Sequence, residues 1–328
     1  MKLYILLLAL LVLSACKKDA NKACGCSNSS SACTDLPLPP PPGKDDIYSQ
    51  PNYFFDPSYV DYPYFNPNND NEILYYARYA IPLQQQQLIK YNLATHQKQL
   101  LFTGQLLSRP KWGRNGWILL NVNSQIYKIR EDGSNLTQLT FDSLGSNYNP
   151  EWNYTGDKFV VKHQYKKPGV KADTLMSFLL VYDEDGQPLD TLNAFAYPKC
   201  WQNQKGLLLV SEGSSPFSVW DIFNHSETVL HSLKGEDQNP FWSPDGNELY
   251  YTSKCGLSKI NYASGKKNCL KTRCANESYN SICISSSSQK ILCMKEHLKA
   301  PNWYNQYYSS KLVLMNLDGS NEKEINMY

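Results

Sequence analysis

No window after residue 20 shows the 3.6-residue apolar period of an amphipathic helix. That absence excludes a helical bundle, a doubly wound α/β sheet or a coiled coil as the body of the chain. Charge is scarce and balanced: 19% of the 328 residues are charged, and 32 Lys and Arg face 30 Asp and Glu for a formal +2. A nucleic-acid binder needs a dense basic surface, and a solvating disordered chain needs a large net charge, so neither class fits. One apolar run stands out, Leu3 to Leu13, and it is shorter than the roughly 20 residues a helix needs to cross a bilayer. Motifs of chemistry are missing too: no His-Glu-x-x-His, no phosphate-cradling Gly-rich loop, no G-x-G-x-x-G and no G-x-S-x-G elbow. No cofactor, metal or catalytic residue is expected.

What is plentiful is aromatic: 13% of residues, with 24 Tyr and 7 Trp. They fall in a repeat. Asn239 to Tyr251 reads NPFWSPDGNELYY, and the same unit returns as NPEWNYTGDKFVV from Asn149 and RPKWGRNGWILL from Arg109. Looser copies are YPKCWQNQKGLLLV from Tyr197, YPYFNPNNDNEILYY from Tyr62 and NSICISSSSQKILCM from Asn280. Unit starts near 63, 110, 150, 198, 240 and 281 are about 40–48 residues apart, the length of one four-stranded propeller blade. Each unit continues as an alternating strand, an Asp-Gly or Ser-Gly turn and another strand, as in IYKIREDGSNLTQLT from Ile126. The expected fold is all-β: a six-bladed β-propeller of four-stranded antiparallel blades over 63–328. The residues Trp112, Trp152, Cys200, Trp242 and Cys283 of the first strand are expected to wedge between blades. Closure is expected to be direct, or through a strand from Tyr48–Tyr59.

The P-x-W-S-P-D-G turn with I-Y-x-I, D-G-S-N and L-T resembles the TolB-type propeller repeat of bacterial periplasmic proteins. The resemblance covers about four-fifths of the chain and implies the fold. It does not carry the TolB role, because TolB has a further α/β domain before its propeller and no lipid anchor. The same repeat precedes a hydrolase domain in prolyl-oligopeptidase-like peptidases, whose elbow has no counterpart here.

The N-terminus supplies an address. Lys2 and the Leu3–Leu13 run form a secretory signal, and Leu13-Ser14-Ala15-Cys16 resembles a bacterial lipobox. Residues 1–15 are then signal peptide and Cys16 the acylated (palmitate-bearing) N-terminus, with each buried CH2 contributing about 0.8 kcal/mol to membrane anchoring. Residues 16–46 read as a disordered tether with an Asn28–Ser31 segment and a Pro37–Gly43 polyproline strut, and 47–62 as a lead-in segment. The expected location is lipid-anchored at the outer membrane, on either its periplasmic or its surface side.

Ten cysteines in an exported chain invite disulfides. Any bridge is expected within the cluster Cys255, Cys269, Cys274, Cys283 and Cys293. Cys24, Cys26 and Cys33 lack a fourth ligand for zinc.

Function is expected where the loops between the last strand of one blade and the first of the next gather at one channel mouth. Arg109, Tyr148, Tyr197, Asp237 and Tyr279 are placed there at matching offsets, a mixture suited to an interaction surface. The five histidines, His96, His163, His225, His231 and His297, fall at different points of their repeats and form no ring. The expected function is a non-catalytic scaffold binding an envelope protein or cell-surface glycan. The alternatives are a carbohydrate-active or other enzyme with a site in the channel, and a small-ligand sensor.

Overall fold

The computed structural model describes residues 52–55 and 59–327, apart from 79–85, 107, 167–174, 193–195, 203–205, 212–216, 232, 234–237, 254–255, 275 and 299–304. The signal, Cys16 and the tether lie outside the described residues. Strand β1 (Asn52–Phe55) leads in. Blade 1 is β2 (Val60–Asn66), β3 (Asn69–Arg78), β4 (Gln86–Asn92) and β5 (Lys98–Gly104). Blade 2 is β6 (Lys111–Trp112), β7 (Trp117–Val122), β8 (Gln125–Arg130) and β9 (Thr137–Gln138). Blade 3 holds β10 (Gly145–Trp152), β11 (Lys158–Lys166), β12 (Leu175–Asp183) and β13 (Pro188–Leu192). Blade 4 holds β14 (Tyr197–Trp201), β15 (Leu207–Ser211), β16 (Phe217–Asp221) and β17 (Ser226–Leu230). Blade 5 comprises β18 (Gln238–Trp242), β19 (Glu248–Ser253), β20 (Gly256–Asn261) and β21 (Lys267–Thr272). Blade 6 comprises β22 (Glu277–Ile284), β23 (Lys290–Leu298), β24 (Asn305–Asn316) and β25 (Lys323–Glu324). Each blade is an antiparallel meander from its inner strand A to its outer strand D.

The second strand of each blade explains why six sheets stack. Ile73–Tyr76, Ile118–Leu120, Phe159–Val161, Leu208–Val210, Leu249–Tyr251 and Ile291–Cys293 are continuous apolar runs, all buried. Alternation would give such a strand one dry face; here both faces are covered, one by each neighbouring blade. The outermost strands are wet, as Ser226–Val229 show.

Six apolar clusters fill the six interfaces, each seated by one strand A residue. Trp112 packs with Leu74, Tyr76 and Leu88 of blade 1, and Trp152 with Leu119 and Ile126 of blade 2. Trp242 packs against Leu209 and Val219 of blade 4. In blade 4 the wedge is Trp201, against Val160 and Leu179, not Cys200. In blade 6 it is Ile284, and in blade 1 Phe65. The expected alignment was therefore one residue early in blades 4 and 6. The strand pairing shows why: Trp201 faces Leu208 as Trp152 faces Phe159, and Ile284 faces Ile291 as Trp242 faces Leu249.

Hydrogen bonds across the strand A–B turns add a clasp between blades. Asn68 Nδ2 donates to Arg114 O at 2.9 Å, Asn115 Nδ2 to Gly156 O, and Gln202 Nε2 to Gly246 O at 2.5 Å. Gly246 has φ +69°, a left-handed conformation that a Cβ would strain, and that Cβ would meet Gln202 at 2.8 Å. Between blades 6 and 1, Asp70 accepts from Ser286 N, Ser287 N, Ser287 Oγ and Ser288 N. Burial raises its pKa, but these donors outweigh burial and hold the carboxyl below its ordinary value.

The ring closes by both ends of the chain. Strand β1 pairs parallel with β24, Asn52 to Phe55 against Asn305 to Tyr308, while β25 pairs antiparallel with the same strand. Ser310 Oγ accepts from Val60 N and donates to Val60 O, both at 2.7 Å. Met327 is buried in the blade 6–1 cluster, and Tyr91 Oη donates to Asn326 O at 2.8 Å.

Cys269 and Cys274 are each engaged in a disulfide. Cys200, Cys283 and Cys293 are buried thiols, and Cys255 lies outside the described residues.

Candidate functional site at the channel mouth

In five of the six blades, all but blade 2, strand A is bent by a bulge at the same place. The register shifts between Asp61 and Tyr64, Tyr148 and Glu151, Pro198 and Cys200, Gln238 and Phe241, and Asn280 and Cys283. Tyr62, Asn149, Asn239 and Ser281 sit at this bulge with φ of 52°, 49°, 53° and 53°. Asn tolerates that conformation; Tyr and Ser hold it because the flanking sheet fixes them. Just beyond it, the residue before each wedge lines the axis. Tyr64, Glu151, Cys200, Phe241 and Cys283 surround an axial cavity of about 80 Å³ that opens toward the strand A–B turns.

The two axial thiols are not poised for chemistry. Burial pushes the Cys283 thiol up to about 12 and Cys200 higher still. Cys200 Sγ instead donates to Pro240 O at 3.4 Å, and Cys283 Sγ accepts from Phe65 N at 3.3 Å.

At the other mouth, where strand D hands over to strand A, a cavity of about 150 Å³ is lined by blades 1 to 5. Its wall includes Ser108, Arg109, Lys111, Asn149, Glu151, Lys199 and Asn239. Lys111 Nζ pairs with Glu151 at 2.5 Å, both side chains nearly dry. Burial raises the Glu151 carboxyl above its ordinary value, with Lys111 opposing. Arg109 reaches across from blade 2 to blade 5 and donates to Asn239 Oδ1, with its guanidinium 5.3 Å from the Tyr62 ring centroid. Burial lowers Lys199 to about 8, reinforced by Arg109, Lys111 and Lys162. Lys162 itself is buried, its Nζ 3.3 Å from the centre of the Tyr197 ring.

The residues expected at the rim separate in three ways. Arg109 is in the mouth, and Tyr148 and Tyr197 stand half-buried four residues before the wedges of blades 3 and 4, equivalent to each other. Tyr279 is buried between blades 5 and 6, donating to Glu322 Oε2 at 3.0 Å, so it is a packing residue and no rim residue. The offsets do not match: Arg109 aligns with Asn149, Tyr148 with Gln238, and Tyr279 with the residue before Gln238. That residue, Asp237, lies outside the described residues. Lys111, Glu151 and Lys199 were not anticipated. Lys111 and Glu151 are legible in hindsight as the variable residue of P-x-W.

Among the described residues no three His, Cys, Asp or Glu side chains are grouped to hold a metal, and no helix is long and apolar enough to cross a membrane. His163 makes one acid contact, Nε2 to Asp142 at 3.2 Å, with burial lowering its pKa.

No family model matches the chain, and no curated protein matches it. Solved structures do. A putative TolB from Agrobacterium tumefaciens superposes with a TM-score of 0.57 at 17% identity, over 72% of this chain and 86% of that one. The fold is a TolB-like six-bladed β-propeller. TolB from Acinetobacter baumannii gives 0.59 at 15% identity over 78% of this chain, which spans 63% of that protein's length. An oligogalacturonate lyase from Vibrio parahaemolyticus gives 0.51 at 12% identity, over 81% of this chain and 77% of that one. The same propeller fold thus occurs in TolB structures and in a lyase.

Proposed function

We propose that the chain is an exported, lipid-anchored binding propeller of the bacterial envelope, taking its partner at the strand D–A mouth. One observation carries this reading. The side chains on the axis are engaged within the ring, Lys111 with Glu151 and Cys200 with the Pro240 carbonyl, and both thiols are held protonated. The mouth above them presents cationic and aromatic groups around an open cavity. No nucleophile stands beside a base among these groups, the arrangement a channel-site enzyme needs. The lipobox-like LSAC ending at Cys16 supports the anchor, and the likeness to TolB, at the level of fold, is in keeping with an envelope location.

Two arms of one experiment test it. A fatty-acid analogue fed to cells is expected to label the wild type and not Cys16→Ser. Envelope partners captured by the wild type are expected to be lost from an Arg109→Ala/Tyr148→Ala variant whose thermal unfolding is nearly unchanged. Capture that survives this variant but fails when Asn135 or Asn321 at the outer turns is replaced would contradict the assignment of the face.

A further inference from the structure

Arg109 and Lys199 share the wall of the strand D–A cavity without a close ion pair of their own among the described residues, though Arg109 feels the Glu151 charge. Among the described residues neither has a carboxylate within ion-pair distance; Arg109 donates to a neutral amide, and Lys199 meets only the Tyr197 ring, at 5.7 Å. The acids nearby are already engaged. Glu151 belongs to Lys111, and Asp61 accepts from Tyr62 N at 2.7 Å and Ser281 Oγ at 3.5 Å. A third group points the same way. Ser108 lines the cavity, is 5% exposed, and its Oγ has no hydrogen-bond partner among the described residues.

We propose that the strand D–A mouth binds a small organic acid, its carboxylate held by Arg109 and Lys199 with the Ser108 hydroxyl as a further donor. This rests on the reading of that mouth as the binding face. The planar guanidinium fork matches a carboxylate. Glu151, lining the same cavity, disfavours a compact dianion such as phosphate, while about 150 Å³ suits a molecule of a few carbons. The site is also pH-sensitive. Lys199 faces Arg109, Lys111, Lys162 and Cys200, with Glu151 lining the same cavity, and burial with these cations lowers it to about 8. Its positive charge, and the carboxylate affinity that depends on it, is therefore present below that pH and lost above it.

The test is calorimetric titration of the purified full chain in detergent with succinate and acetate, against inorganic phosphate at equal ionic strength. Saturable succinate binding is expected at pH 7, weakened about tenfold or more by Arg109→Gln, the size of a charge-assisted hydrogen bond. Affinity is expected to fall above about pH 8, and Lys199→Gln to flatten that dependence. Absence of saturable binding, phosphate binding as tightly as succinate, or Arg109→Gln binding undiminished would each overturn the proposal. If partner capture from the envelope still depends on Arg109 while succinate does not bind, the binding face stands and the carboxylate site falls. If a bound acid is chemically converted, the site stands and the non-catalytic reading falls.

Discussion

Trp112→Ala is expected to destabilise the propeller by about 3–5 kcal/mol, the range for emptying a buried Trp site. Its indole is almost fully buried between Leu74, Tyr76 and Leu88 on one side and Ile118 and Leu120 on the other. Its Nε1 also donates to Glu131 Oε2 at 3.3 Å. The cavity cannot collapse cheaply, because both walls are β-sheets tied at their turns to further blades. In a closed ring each interface supports the next, so the loss should appear as a lower denaturant midpoint for the whole unit. Phe141→Ala is the control: its ring is 77% exposed, and its replacement should shift stability by no more than about 0.5 kcal/mol. A Trp112→Ala loss no larger than the control's would contradict the wedge.

The second large effect lies on the axis. Lys111→Met strands Glu151 in a dry site without its cation, and losing one partner of a buried pair costs about 3–5 kcal/mol. The double variant Lys111→Met/Glu151→Leu should recover most or all of that loss, since an apolar pair of similar volume avoids both desolvation penalties. A pH series gives an independent sign. Burial raises the Glu151 pKa in the folded state. The native state then holds a proton that the unfolded state has released, and stability falls as pH rises from the ordinary carboxylate value through the raised one. Removing Lys111 raises that pKa further, so the penalty in the single variant should shrink as the pH is lowered. A penalty independent of pH, with no rescue in the double variant, would contradict the ion pair as its origin.

The blade repeat was legible because the physics of a propeller writes itself at fixed spacing. A turn demands Asp-Gly, a doubly covered strand demands an apolar run, and an interface demands a large wedge. Where one marker drifts, the reading slips. In blade 4 the proline precedes the wedge by three residues rather than two, so Pro198 misaligned Cys200 onto the position that Trp201 occupies. In blade 6 neither Pro nor Trp survives, and Cys283 was taken for Ile284. The mouth was harder. Arg109 and Lys199 stand at inequivalent offsets on blades 2 and 4, and only the curvature of the ring brings them to one cavity. Tyr279 looked like a rim residue because sequence does not show that Glu322, from the turn before β25, reaches back to its hydroxyl. Closure was half visible: a strand within Tyr48–Tyr59 was one of two options, and β1 is that strand.

The central claim is that partners meet this propeller at its strand D–A mouth. Its most direct test is a photo-crosslinking amino acid placed at Tyr148 on that mouth or at Asn321 in the opposite C–D turn, in cells carrying the full-length chain. The account predicts that irradiation yields a discrete adduct from position 148, competed away by excess unlabelled protein, and none from position 321. Adducts from 321 with none from 148 would contradict it.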